Sequence, residues 1–283
     1  MRMWSLKDKV VLITGASRGV GAACAVALAR QGCKLVLAAK TIAPDPRLPG
    51  TLLDCARDVE AAGGEAHVVA FDARDSEGCD HVVQQAVERF GGLDILVNNA
   101  GAIHWGPVAD WSIKRFDLVF GVNMRAAFAV SRAALPHLRA RGGGHVLMMS
   151  PPIVMAALHG KAPYLVSKWG MTALAMAIDA EEEAHGISAT ALWPVTGIRT
   201  AATENLGMGE PREWRTPAIL ADATVALLAR DPRKSRFRAW LDEEVLAEAG
   251  ITDLRGYRCD PDHEPMPMSI ELVDPGWAAR NGR

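Results

Sequence analysis

The chain has 283 residues, of which 49% are hydrophobic and 23% charged. This composition is typical of a globular protein with a substantial core and excludes a disordered chain. The formal net charge of −2 gives no electrostatic reason to expect nucleic acid or an anionic membrane as a partner.

The compartment is predicted from the cysteines and the N-terminus. The five cysteines show no Cys-x-x-Cys spacing, which favours reduced thiols in a cytosol-like compartment. The first nine residues carry charges and no apolar core, unlike a secretory signal. No uninterrupted apolar run approaches the roughly 18 residues of a membrane span. We therefore expect a cytoplasmic protein that binds no membrane.

The first informative stretch, Val10 to Gly21, reads Val-Val-Leu-Ile-Thr-Gly-Ala-Ser-Arg-Gly-Val-Gly. An apolar strand, a glycine-rich turn and the start of a helix form the context that dinucleotide binding requires. Glycines let the backbone approach a pyrophosphate, which the helix N-terminus then holds. A plain structural turn is the alternative. The predicted cofactor-binding residues are Gly15, Ser17, Arg18, Gly19, Val20 and Gly21.

The second predicted strand, 34–39, ends where the nucleotide specificity of such folds is set. An acid about 20 residues past the glycine turn binds the ribose hydroxyls of NAD. Here Lys40 and Thr41 occupy that place, and the next carboxylate is Asp45. Lys40 and Arg18 attract a 2′-phosphate that an acid would repel, so these residues favour NADP(H). The alternative is that both cations are solvated surface charges.

Apolar periodicity and turn residues predict the remaining elements. A proline-rich insertion is expected at 42–50, helices over 52–62, 76–90, within 111–138, over 164–183 and 217–229, and strands over 66–71, 93–97, 143–149, 187–193 and 237–241. The alternation of strands and helices predicts an α/β fold, a doubly wound parallel sheet in one domain over 1–283. The C-terminal part of the chain, in which the apolar pattern is less regular, is predicted to contain a substrate lid at 200–216 and a surface-wrapping tail at 258–283.

The fourth and fifth predicted strands are each followed by polar residues. Asn98-Asn99-Ala100-Gly101 supplies amides suited to pinning the backbone beside a cofactor. Ser150 closes the fifth strand, where a substrate carbonyl would face the nicotinamide. Tyr164 and Lys168 share one helix face. The ammonium group is expected to lower the pKa of Tyr164 toward working pH, as a general acid/base requires.

Together these motifs resemble the short-chain dehydrogenase/reductase family, whose fold is a single-domain Rossmann-type sheet. The resemblance covers at least residues 6–200. It implies that Tyr164 donates a proton to a carbonyl or takes one from an alcohol, and that Lys168 holds the nicotinamide ribose. It implies that Ser150 stabilises the oxyanion and that Asn123 anchors a water in a proton relay.

The same resemblance implies further contacts and an assembly. Asp72, Asn99, Ile198 and Thr200 are expected to contact the cofactor, as are Tyr164 and Lys168; an Asp that opens a turn is the structural alternative for Asp72. Ile198 and Thr200 are the best matches to residues that contact the carboxamide. Packing of the two long helices implies a homodimer or homotetramer.

Departures from the common pattern indicate a branch of the family. Ser150 is followed by Pro151 and Pro152 and lies 14 residues before Tyr164, about one more than usual. The stretch 193–200 is one residue longer than the usual Pro-Gly pattern. These features resemble the hydroxysteroid-dehydrogenase-like branch, which also includes bacterial enzymes described as citronellol/citronellal dehydrogenases. Eukaryotic members append a sterol-carrier domain, which is not expected in a chain of this length.

The predicted function is NADP(H)-dependent hydride transfer between nicotinamide and an apolar aldehyde, ketone or alcohol. Apolar residues near the expected pocket favour such a substrate, although ordinary core is an equal alternative: Trp105, Met148, Met149, Ile153, Val154 and Met155. One alternative is a 3-oxoacyl-thioester reductase, for which Arg212 and Arg215 are candidate phosphate contacts. Another is a non-catalytic NADP-binding sensor or scaffold.

No metal is predicted. The histidines considered as ligands lack an accompanying Glu or Cys at ligand spacing and are interpreted as scattered surface or loop residues: His104, His145, His159 and His185.

Overall fold

The central sheet is assembled from short, largely buried segments. In the computed structural model, which describes residues 3–44 and 49–268, seven parallel strands form one sheet in the order β3-β2-β1-β4-β5-β6-β9. The strands are β1 Val10–Thr14, β2 Lys34–Ala39, β3 Glu65–Ala70, β4 Ile95–Asn98, β5 Gly144–Met149, β6 Ile187–Trp193 and β9 Ala239–Leu241. A separate parallel pair joins β7 Gly197–Ile198 to β8 Trp214–Arg215.

The order of the strands places a crevice beside β1. This strand pairs with β2 from Val10–Lys34 to Thr14–Ala38, and on its other edge with β4. The chain runs outward from β1 in both directions, so the loops after β1 and β4 diverge at the carboxyl edge of the sheet. Ligands of doubly wound sheets bind at this switch point.

Helices cover both faces of the sheet. They are α1 Gly19–Ala29, α2 Leu52–Ala61, α3 Ser76–Phe90, α4 Ile113–Phe120, α5 Ala126–Ala140, α6 Ala162–Glu182, α7 Ala201–Asn205, α8 Ala218–Leu228 and α9 Asp242–Glu248. One buried apolar cluster contains side chains of α1, α2, α8 and α9, and a second contains side chains of α3, α5 and α6. The predicted α/β fold with a doubly wound parallel sheet is confirmed.

The helical stretch Ile113–Ala140 joins α4 to α5 through a π-helical turn, Gly121–Arg125. Its 28 residues are long and apolar enough to cross a membrane by length and composition. A core helix passes the same test. Here Ala126, Val130 and Ala134 are buried in the cluster beside the sheet, so this feature is weak evidence for a span.

Most predicted elements match, with differences at their ends. Strand β4 starts two residues later than predicted and β9 is shorter, because apolar residues in the preceding loops extend the pattern. The β7–β8 pair was not predicted, since strands of two residues have no readable periodicity. The predicted insertion includes 45–48 and the predicted tail includes 269–283, which lie outside the described residues.

Candidate active site

The turn after β1 is so tight that two of its glycines approach backbone directly. Gly15 has a φ of +69°, and a Cβ there would lie 2.8 Å from the Cα of Ala100. A Cβ on Gly21 would lie 2.4 Å from the carbonyl oxygen of Gly15. Any side chain at either position would therefore force the backbone apart.

The N-terminus of α1 can hold an anion. Its N-cap residue is Arg18, and among the described residues no side chain caps the helix and no acid lies in its first turn. First-turn N–H groups lack intrahelical partners and carry the positive end of the helix dipole. Thr200 lies against the turn, its Cγ2 3.4 Å from where a Cβ of Gly19 would be. Ser17 is buried in the same turn, and Val20 packs against the core.

Asn99 pins this turn to the loop after β4. Its Nδ2 donates to the carbonyl oxygens of Thr14 and Gly15 at 3.0 and 3.1 Å. The hydroxyl of Thr14 accepts from the N–H groups of Asn99 and Ala100, both at 3.1 Å. Both amide protons of Asn99 are therefore used to position the turn. Thr14 was not predicted as a site residue, although Thr14 lies within the glycine motif.

Charged residues converge at the ends of β2 and β3, where the adenosine phosphate is predicted to bind. The Nζ of Lys40 lies 3.5 Å from Oδ2 of Asp72, and the Nε of Arg74 donates to Oδ1 at 2.9 Å. Hydrogen bonds from Arg74, and then the charge of Lys40, hold the pKa of Asp72 well below its usual range. Arg18 donates to the carbonyl oxygens of Pro49 and Gly50 at 3.1 and 2.8 Å. Cations therefore outnumber carboxylates in this set of side chains.

This arrangement adds to what the sequence predicted. The carboxylate of Asp72 lies beside Lys40. The sequence did not indicate this contact, because the two residues are far apart along the chain. Arg74, which was not predicted, offsets its charge. Thr41 accepts the N–H of Leu52 with its carbonyl oxygen at 2.9 Å, so its backbone helps to start α2.

Asn123 connects the loop after β4 to α6. It lies fully buried in the π-helical turn, where its Oδ1 accepts from the N–H of Ala102 at 2.7 Å. Its Nδ2 donates to the hydroxyl of Ser167 at 2.9 Å, and that hydroxyl donates to the carbonyl of Tyr164 at 2.6 Å. π-Helical turns are frequent at functional sites. This one fixes the start of α6 through a continuous hydrogen-bond chain.

Lys168 lies within this same cluster. A Cβ on Gly101 would lie 3.6 Å from the Oδ1 of Asn123 and 3.8 Å from the Nζ of Lys168. The Nζ donates to the carbonyl of Met149 at 2.6 Å. The structure therefore brings Asn123 and Lys168 to the loop after β4, with Tyr164 one turn before Lys168.

Ser150 is held differently from what the resemblance implies. Its Oγ donates to the carbonyl of Lys168 at 2.8 Å and accepts from the hydroxyl of Thr172 at 3.1 Å. The indole N–H of Trp193 in turn donates to the hydroxyl of Thr172 at 3.2 Å. Ser150 is 3% exposed, and Pro151 after it has no N–H. In this arrangement the hydroxyl of Ser150 donates its proton to the backbone of α6. The role of Ser150 as oxyanion stabiliser stays a prediction.

Substitution of Ser150 distinguishes the two roles. If its hydroxyl only holds α6, Ser150→Ala is expected to lower kcat for carbonyl reduction by roughly fivefold, the effect of one neutral hydrogen bond of about 1 kcal/mol. Thr172→Val removes a bond of the same chain and should have a similar effect. A loss of about 10² to 10³, as for an oxyanion donor, would contradict this expectation.

Burial shifts the two titratable groups of α6 in opposite directions. It raises the pKa of Tyr164 to about 12 and lowers the pKa of Lys168 to about 8. The expectation that Lys168 lowers the pKa of Tyr164 is therefore not met in this structure, because desolvation of the phenolate dominates. At neutral pH the phenol is protonated and suited to donate a proton.

A spectroscopic titration tests this shift, because the chain has two tyrosines. The pKa of Tyr257 is also raised, by burial and by its hydrogen bond to Asp222. In the free protein we expect no tyrosinate absorbance near 295 nm below about pH 10. Tyr164→Phe and Tyr257→Phe assign each transition. A Tyr164 transition between pH 7 and 9 would show that Lys168 overcomes burial.

The predicted lid contains α7 and β8. Thr200 caps α7 with its hydroxyl, which accepts from the N–H of Thr203 at 3.2 Å. Ile198 is buried in β7, and its carbonyl accepts from the hydroxyl of Thr203 at 2.9 Å. Thr200 therefore lies at the glycine turn, whereas the Ile198 side chain belongs to the core.

Arg215 is not available as a phosphate contact, which corrects that part of the expectation for a thioester substrate, whereas Arg212 is exposed. Arg215 is 3% exposed, and its guanidinium binds Glu243 and Glu264 at 2.5 and 2.6 Å. Arg212 lies 3.1 Å from Glu210. The described part of the tail runs beside these residues: the N–H of Cys259 donates to Trp214, and that of Met268 to Val195.

Comparisons with known proteins identify the family of the chain. The family model described as short chain dehydrogenase matches residues 9–210. Hydroxysteroid dehydrogenase-like protein 2 is 40% identical in Danio rerio and 38% in Homo sapiens, each over 260 residues and 91% of this chain. The chain spans 62% of the length of these two relatives.

Solved structures share the whole fold. A short chain dehydrogenase from Mycobacterium thermoresistibile is 40% identical, with a TM-score of 0.86 and coverage of 93% of this chain and 95% of that one. A metagenomic short-chain oxidoreductase in complex with NADP is 28% identical, with a TM-score of 0.70 and coverage of 84% and 98%. With its glycine turn, Asn-Asn-Ala-Gly segment and Tyr-x-x-x-Lys pair in place, the chain belongs to the short-chain dehydrogenase family of oxidoreductases, in the hydroxysteroid-dehydrogenase-like branch.

Proposed function

We propose that this protein is an NADP(H)-dependent oxidoreductase that acts on an apolar aldehyde or ketone, or on the corresponding alcohol. The observation that carries the proposal is the start of α6, where Tyr164 lies one turn before Lys168 and the Nζ of Lys168 lies beside Gly101. When bound, the nicotinamide supplies or accepts the hydride. The chain itself binds and orients both reactants and moves the proton.

Tyr164 is proposed to handle that proton. Its phenol is protonated at neutral pH, since burial raises its pKa to about 12. It therefore favours reduction, in which the tyrosyl oxygen gives its proton to the developing alkoxide. Lys168 places a cation one turn away, where it stabilises the negative charge left on the phenolate. Asn123 and Ser150 fix the backbone that carries both residues.

The preference for NADP(H) is supported by the charges after β2 and β3. Among the described residues, Lys40 and Arg74 both contact the carboxylate of Asp72, and Arg18 donates to the carbonyl oxygen of Gly50 in the segment after β2. Arg74 and Lys40 bind the carboxylate of Asp72 and so reduce its repulsion of a phosphate. The excess of cations suits the additional charge of a 2′-phosphate.

An apolar substrate is supported by exposed apolar side chains around the expected opening. Ile153 and Met155 follow β5 and are 42% and 68% exposed, and Leu206 follows α7 and is 48% exposed. These residues come from the loop after Ser150 and from the predicted lid. Apolar side chains with a few polar groups are typical of small-molecule sites.

Parallel turnover assays with NADPH and NADH test the proposal. The carbonyl panel contains long aliphatic aldehydes, terpenoid aldehydes, steroid ketones and 3-oxoacyl thioesters. We expect kcat/KM for NADPH to exceed that for NADH by about tenfold or more, since charge-assisted bonds to a phosphate contribute about 1.5–3 kcal/mol. Lys40→Ser should reduce this preference for NADPH. Lys7→Ser serves as the control, because Lys7 is an exposed lysine that does not belong to the charged residues after β2 and β3.

The outcomes separate the candidate functions. Equal or better turnover with NADH would contradict the cofactor assignment. Selective turnover of 3-oxoacyl thioesters would favour the thioester reductase. Tight NADPH binding without turnover of any carbonyl in the panel would favour a non-catalytic sensor or scaffold.

A further inference from the structure

Two cationic side chains flank the loop that follows the Asn98–Gly101 segment. Lys161 is the N-cap residue of α6, and its Nζ lies 4.5 Å from the centroid of the Trp105 ring. Arg115 lies in the first turn of α4, and its Nη1 donates to the Nε2 of His104 at 2.9 Å. Both cations therefore contact adjacent residues of one loop.

This loop lies beside the proposed reacting groups. The N–H of Gly106 donates to the carbonyl of Gly160 at 2.7 Å, which ties the loop to the segment directly before α6. Lys161 is the N-cap residue of α6 and Tyr164 is three residues later, the two positions that face each other in a capping box. If Lys161 binds one group of a substrate, only a few bonds separate that group from a carbonyl of the same substrate that contacts Tyr164.

The positive charge of this pair is not neutralised within the part of the chain that the structure describes. Neither Arg115 nor Lys161 has a carboxylate within 4.0 Å there, although Asp110 and Asp117 are close in sequence. His104 accepts from Arg115 as a neutral ring, because burial and the charge of Arg115 lower its pKa. By contrast, Arg212 and Arg215 of the lid segment are each bound to carboxylates.

A third donor belongs to Trp105, the residue whose ring Lys161 contacts. The indole Nε1 of Trp105 is buried and has no hydrogen-bond partner among the described residues. An indole nitrogen can only donate, and a buried donor without a partner costs free energy. Arg115, Lys161 and the indole N–H therefore form a group of donors suited to an acceptor that carries negative charge.

We infer that the carbonyl substrate carries a carboxylate close to its reacting carbon, and that Arg115 and Lys161 bind it. This inference rests on the proposed function and defines the substrate class more closely, as an apolar oxo acid or aldehyde acid. A carboxylate in the substrate itself fits better than a phosphate on a long carrier, because Lys161 and Tyr164 both belong to the first turn of α6. The guanidinium of Arg115 can bind a carboxylate with two parallel hydrogen bonds.

Two measurements test the inference separately from turnover. Calorimetry in the presence of NADP⁺ compares binding of hexanoate and hexanamide, which have equal chain lengths and differ in charge. Initial rates with NADPH compare an aldehyde acid with its methyl ester. The variants are Arg115→Gln and Lys161→Gln. Lys114→Gln, next to Arg115 and exposed, is the matched control.

We expect wild type to bind hexanoate about tenfold tighter than hexanamide, and each variant to reduce that ratio by roughly fivefold or more. The acid-to-ester ratio of kcat/KM should fall in parallel. Salt at 0.5 M should weaken the preference, since screening shortens the reach of these charges. The control should retain the wild-type ratios.

Equal binding of hexanoate and hexanamide by wild type, or ratios that Lys161→Gln and Arg115→Gln leave unchanged, would overturn the inference even if carbonyls are turned over. Selective hexanoate binding that the variants abolish, without turnover of any carbonyl, would instead uphold the anion site and contradict the proposed function.

Discussion

Tyr164→Phe is expected to lower kcat for carbonyl reduction by about 10² to 10⁴. The phenol hydroxyl is the proposed proton donor, and its pKa of about 12 keeps it protonated at neutral pH. The substitution keeps the ring and the backbone carbonyl that accepts from Ser167. The start of α6 should therefore remain in place, and steady-state kinetics at saturating NADPH measures the effect.

Binding and folding controls make this result interpretable. NADPH fluorescence should give a Kd within a few fold of wild type, because the glycine turn is far along the chain from Tyr164 and is unchanged. Thermal unfolding should shift little. Retention of more than a tenth of the wild-type kcat, with normal binding, would mean that another group donates the proton.

Gly21→Ala is expected to impair cofactor binding and stability together. Its Cβ would lie 2.4 Å from the carbonyl oxygen of Gly15 and 2.5 Å from the Nδ2 of Asn99. Both atoms belong to the hydrogen-bonded turn, so the backbone must shift to admit a methyl group. Such overpacking costs about 1–3 kcal/mol. If the strain falls on the cofactor site, the Kd for NADPH rises by roughly 5- to 150-fold.

Gly256→Ala is the control for this substitution. The space around a Cβ at Gly256 is open within 4 Å among the described residues, so the Kd for NADPH and the midpoint of thermal unfolding should stay near the wild-type values. Fluorescence titration and calorimetry measure the two quantities. An unchanged Kd in Gly21→Ala would show that the turn can move without loss of the cofactor.

The features that depend on neighbours along the chain were predicted from the sequence. The glycine turn, the buried strands and the helices follow from residue types at fixed spacing, and a doubly wound parallel sheet follows from their alternation. Lys168 follows Tyr164 by one helical turn, so their proximity also follows from spacing. These parts cover the doubly wound fold and the backbone of the candidate site.

Contacts between distant segments were decided by the tertiary structure. Lys40 meets Asp72 only because β2 and β3 are adjacent in the sheet. Arg215 was a candidate phosphate contact for the alternative thioester substrate, but packing against α9 and the tail buries it between two glutamates. A side chain's partners and its burial depend on which elements pack together, and a single sequence does not specify these directly.

The same distinction applies to the chemistry. By itself the sequence determined which residue types occur in the motifs, and with them the family and the candidate proton donor, Tyr164. The tertiary structure decided the environment of these groups: burial raises the pKa of Tyr164, the Ser150 hydroxyl binds α6, and the starts of α4 and α6 bring Arg115 to His104 and Lys161 to Trp105. Desolvation and charge act through space, so they become readable only once the chain has folded.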